Sequence, residues 1–144
     1  MALNWFKSVA GDLQTKFAQL NNAAFKNAAM ATCALVAAAD GTIAPEEKKK
    51  VAALIQKNEM LQAFNAGELR DLFLSYCDKA EDDFDRIDLF AIIRKVKGNV
   101  DQSTYAVKVA LIIANADGVF DDDEKAVVTE ICQTLGVPAA DYVS

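Results

Sequence analysis

Apolar residues recur along this chain at intervals of three and four, the period of a helix with one buried face. Phe6, Val9, Leu13, Phe17 and Leu20 predict an amphipathic helix over residues 1–21. A second, more uniformly apolar helix is expected over 22–40, with Met30, Leu35 and Val36 inward and many alanines permitting close approach. Gly41 follows where a helix would end on a left-handed residue. Pro45 suits the first position of a third helix over 45–58, which turns Val51, Leu54 and Ile55 inward and Lys48, Lys49 and Lys50 outward. Further helices are predicted over 67–78, 83–96, 103–117 and 122–135, with a short turn near 61–64 and a tail from Ala139. Gly98, Gly118 and Gly136 stand as stops. With two prolines, six glycines and few alternating β-branched runs, the pattern predicts an all-α, compact bundle of about seven helices. No linker-like stretch divides it, so residues 1–144 are expected to form one domain.

The pattern repeats. A shift of 77 residues lays Leu35–Gly41 over Ile112–Gly118, Ile43 over Phe120, Glu47 over Glu124, Lys48 over Lys125 and Val51 over Val128. A helix–acidic loop–helix unit is therefore expected twice, over about 27–58 and 104–135. Two such units predict a bundle around a pseudo-twofold rather than an open solenoid.

The repeated loops, DGTIAPEE and DGVFDDDE, match the second half of an EF-hand calcium loop: acid, glycine, any residue, apolar residue, then a terminal glutamate. The first half is missing. Val36 and Ala38, or Ile113 and Asn115, stand where the early ligands belong. A hard cation needs oxygen ligands. The candidates are Asp40, Glu46 and Glu47 in the first loop and Asp117, Asp121, Asp123 and Glu124 in the second. Asp83 and Asp85, from the mid-chain EDDFD cluster, are candidates across the bundle. A structural explanation competes. Acids in a first helical turn favour the helix dipole, and Asp121 with Glu124 has the spacing of a capping box. One carboxylate serves a cap or a ligand equally well, and both readings stay open here. Ala44 is a poor N-cap, so the first loop fits neither reading fully.

Composition narrows the field. Fifteen basic against 21 acidic residues give a formal charge of −6, which disfavours nucleic acid as a partner. The chain has no histidine, and Cys33, Cys77 and Cys132 are far apart, so zinc is less expected than calcium, magnesium or manganese. The odd, scattered cysteines predict reduced thiols in the core and a cytoplasmic setting. Without histidine there is no Ser–His or Cys–His pair, and no glycine-rich phosphate loop occurs. The longest apolar runs are too short to cross a bilayer, and the start lacks the continuous apolar core of a secretory leader. The mildly basic first segment, with Trp5, Phe6 and Leu13, is expected to dock on the bundle or at most to touch a membrane surface peripherally.

The order of these features resembles the tellurite-resistance TerB family: an amphipathic first helix, an apolar helix into ADGTIAPEEKKKV, a mid-chain DDFD, and an apolar helix into ADGVFDDDEK. The likeness covers about residues 1–140. It implies an all-helical, non-enzymatic module whose acidic loops bind cations. It also implies a cytoplasmic role at the inner face of the membrane, beside a membrane-integral partner of the TerC kind, in resistance to tellurite and other chemical stress. Asp40, Glu47, Asp117 and Glu124 match the motif acids, and Asp83 and Asp85 the mid-chain acids. Ala44 departs from the polar N-cap usual there. Three functions follow for test: a divalent-cation module, a metal-independent acidic adaptor, and a metal-dependent hydrolase.

Overall fold

A computed structural model describes residues 23–57, 64–116 and 118–143. Among them are six α-helices: α1 (Ala23–Ala37), α2 (Pro45–Lys57), α3 (Ala66–Ala80), α4 (Arg86–Arg94), α5 (Val100–Ala114) and α6 (Asp122–Leu135). A 3₁₀ turn, Ala139–Asp141, closes the order, and the described residues contain no strand. These are the six expected helices that fall on described residues. The expected segment 1–21, with Trp5, Phe6 and Leu13, lies outside them, as do Asp117 and most of the short turn near 61–64.

The organising element is α1. From Ala28 to Ala37 every residue of it is buried and all but Thr32 are apolar, and Phe25, Met30, Cys33 and Leu35 are wholly buried. A helix with no polar face must be covered all round. Here α3, α4, α5 and α6 all pack against it, their backbones brought near by Ala28, Ala29, Ala31 and Ala34. By contrast, α2 rests chiefly on α3, while its counterpart α6 packs on α1, α4 and α5. The two buried polar side chains are satisfied. Thr32 Oγ1 donates to Ala29 O at 2.7 Å, and Ser103 Oγ donates to Val96 O at 2.9 Å. Cys33, Cys77 and Cys132 are free and buried, as their apolar surroundings in the sequence predicted.

Two helix starts differ from expectation, each for a local reason. α5 begins at Val100 rather than Ser103, because Asn99 Oδ1 accepts the Gln102 N–H at 3.0 Å and opens the helix one turn earlier. α4 begins at Arg86 rather than Asp83. There the Asp82 carboxylate takes the N–H groups of Phe84 and Asp85 and holds those residues in a turn.

Candidate metal centre

The two acidic turns share one backbone design. Ala38 N–H donates to Ala34 O, Ala39 to Val36, Gly41 to Ala38, and Lys48 to Ala44. Seventy-seven residues on, Asn115 donates to Leu111, Ala116 to Ile113, Gly118 to Asn115, and Lys125 to Asp121. Four bonds in one turn thus recur, in register, in the other. Both turns need a glycine at positive φ, +104° at Gly41 and +84° at Gly118, where a side chain would be strained. Each helix therefore unwinds tightly and delivers an acidic stretch to the start of the next.

The side chains then diverge. In the second turn Asp121 Oδ1 accepts the Glu124 N–H at 2.8 Å, and Glu124 Oε1 accepts the Asp121 N–H at 3.0 Å, a full capping box. Lys125 stays on its own loop, 5.8 Å over the Phe120 ring. The first turn has Ala44 at the equivalent cap position. Asp40 Oδ1 instead accepts the Thr42 N–H at 3.3 Å, and Glu81 reaches in from the end of α3. Glu81 Oε2 accepts the Ile43 N–H at 3.2 Å, and its other oxygen lies 3.1 Å from Lys48 Nζ, which also sits 3.8 Å from Asp78. The Lys48 ammonium and the Ile43 N–H hold the Glu81 carboxyl below its ordinary range, and the same bond raises Lys48 above its own. Of the acidic mid-chain cluster, Glu81 is thus the member seen to bond the first loop. Asp83 is exposed, and Asp85 caps α4 without a side-chain bond. Proximity in sequence gave Glu81 no distinction, because its contact to Ile43 spans 38 residues.

Glu46, Glu47 and Glu124 come together along one groove of about 830 Å³. Its apolar wall is made by Val36, Val51, Leu54 and Ile113, from α1, α2 and α5. The ends of both repeated units open on it, so carboxylates 77 residues apart in sequence face a common space. Lys49 and Lys50 also line it and offset part of the negative charge. Among the described residues no three acidic or thiol side chains are grouped closely enough to hold an ion by themselves. Asp121 Oδ1 serves the cap, Asp40 Oδ1 serves its own turn, and Asp123 is exposed. The thiols offer no alternative. Burial pushes Cys33 and Cys77 up to about 12 and Cys132 to about 11. No described helix is long and apolar enough to cross a membrane.

A family model described as "Tellurite resistance protein TerB" covers residues 26–144, from early in α1 to the last residue. No curated protein and no solved structure matches the chain significantly.

Proposed function

The chain belongs to the tellurite-resistance TerB family, and on that premise we propose that it is a non-enzymatic, divalent-cation-binding module of a tellurite and chemical-stress resistance system. The observation that carries this reading is the shared groove, onto which Glu46 and Glu47 of one repeated unit and Glu124 of the other open together. Oxygen ligands of this kind favour calcium, magnesium or manganese over zinc. Glu47 and Glu124 would supply the charge, with Asp117 a further candidate by its place in the repeated motif. Asp121 and Glu124, each with one carboxylate oxygen in the capping box, would hold each other in place at the site. An ion there would neutralise carboxylates from the two units and draw α2 toward α5 and α6, altering the surface offered to a protein partner such as a membrane-integral TerC-like protein. The proposed setting is cytoplasmic, at the inner face of the membrane.

Calorimetric titration of calcium, magnesium and manganese into the full chain tests this, with melting followed in parallel. Saturation at a hundredfold excess over Kd would stabilise the fold by roughly 2.7 kcal/mol, read as a rise in Tm. Glu47→Gln/Glu124→Gln should abolish both signals while keeping the capping box, which glutamine also satisfies. A wild type with no heat and no Tm shift for any of the three ions would overturn the reading.

One observation favours a second reading. The Asp121–Glu124 box and the Asp40 turn already employ the acids structurally, with no ion required. A metal-independent acidic adaptor would bind its partner equally well in chelator and lose it on charge reversal of Asp121, Asp122 and Asp123.

A further inference from the structure

The turn before α4 holds a large apolar side chain in water. Asp82 Oδ1 accepts the N–H groups of Phe84 at 2.8 Å and Asp85 at 3.0 Å, and Phe84 O accepts the Ile87 N–H at 3.2 Å. Phe84 is therefore fixed by bonds on both sides, on the same side of the turn as Ile87. Phe84 is 84% exposed and Ile87 64%. Ala91, also exposed, continues the stripe at helical spacing, and Arg94 ends it. Exposed charge about the stripe runs from acid to base: Asp83 and Asp85 just before α4, Asp88 within it, paired with Lys79 Nζ at 3.1 Å, and Arg94 and Lys95 at its end; half-buried Arg86 interrupts the order. The helix dipole accounts for that order of charge. It does not account for an ordered, exposed phenylalanine beside an exposed isoleucine, a combination that marks interaction surfaces.

We propose that a second copy of this chain packs antiparallel on the Phe84–Ile87–Ala91 stripe, forming a two-fold dimer through α4. A two-fold axis near the level of Leu89 sets Ile87 against Ala91 of the second copy, large against small. It lays the Phe84 ring against the Arg94 guanidinium of that copy, a favourable cation–π arrangement. It also brings the acidic start of each helix to the basic end of the other, so both ends are complemented at once. Other occupants fit less well. A parallel copy places acid on acid, a uniformly basic partner meets Arg94 and Lys95, and an anionic membrane meets Asp83 and Asp85. The stripe runs about 15 Å along the helix. An interface this short falls at or below the roughly 1,200 Å² of the smallest stable complexes, so the dimer is weak and concentration-dependent.

Sedimentation velocity on the full chain, from about 5 to about 500 µM in chelator, tests the proposal apart from any cation effect. The wild type should move from 15.6 kDa toward twice that mass. Phe84→Asp and Ile87→Asp should each weaken association at least about tenfold without altering the melting curve, since both positions are exposed. Asp83→Lys/Asp85→Lys and Arg94→Glu/Lys95→Glu should each stay monomeric alone and associate when mixed. A monomeric wild type across the range overturns the proposal. So does a dimer that survives Phe84→Asp, or a charge-swapped mixture that does not associate. A monomeric wild type whose Phe84 and Ile87 resonances are instead shifted by a peptide of residues 1–22 would assign the stripe to that segment.

Discussion

Gly41 and Gly118 hold φ of +104° and +84°, and a Cβ built at either would meet nothing within 4 Å. Substitution there tests backbone strain free of clashes. Gly41→Ala and Gly118→Ala should each cost about 1–2 kcal/mol in denaturant unfolding, the expense of forcing a side chain into left-handed space. Equal losses would reflect the matched bonding of the two turns. The acids between these turns and the next helices are where the two units part company. Asp121→Ala removes a formed cap and should lose about 1 kcal/mol, whereas Ala44→Ser supplies a cap the first turn lacks and should gain up to about 1 kcal/mol. The capping-box spacing was legible in the sequence. What it left open was whether the cap forms; the structure shows that it does, through the reciprocal bonds of Asp121 Oδ1 and Glu124 Oε1.

Between elements, α2 is held to the α3 end by Glu81, and that junction makes stability depend on pH at both extremes. The Glu81 carboxyl is depressed in the fold, so its contribution is complete above its ordinary value near 4.5 and is lost as pH falls through the lowered value. Lys48 is raised, so its contribution is complete below 10.5 and is lost as pH rises through the raised value. The junction is whole between these limits, and Glu81→Gln should flatten the acid limb of a Tm-against-pH curve. At neutral pH that substitution should cost about 1 kcal/mol or less, because both side chains remain partly in water. The helices themselves were legible from three-and-four spacing and from glycine stops, which are local signals. The starts of α4 and α5 were not, since they turn on whether Asp82 and Asn99 bond the backbone ahead of them. Nor was the Glu81 clamp, because sequence shows a run of acids and not which one a distant loop will meet. The common groove was hidden for the same reason: spacing relates Glu47 to Glu124 as equivalents but does not show that they line one groove.

For the whole molecule, burial pushes the three thiols up to about 11 to 12 and so keeps them protonated near pH 8. Thiol reagents should therefore label the native chain only through opening. The rate should rise with denaturant in parallel with unfolding, and added tellurite should consume no native thiol. A fast-labelling cysteine in the absence of denaturant would contradict this burial. The enclosure of α1 has a different consequence, in the time order of synthesis. The first described helix to leave the ribosome is the one that must be wrapped by α3, α4, α5 and α6, and its largest cover, α5, begins 77 residues after it does. Until Val100–Ala114 emerges, an alanine-rich apolar rod has no complete coat. A nascent chain halted near residue 99 should remain protease-sensitive and a client for chaperones, and protection should come late and all at once.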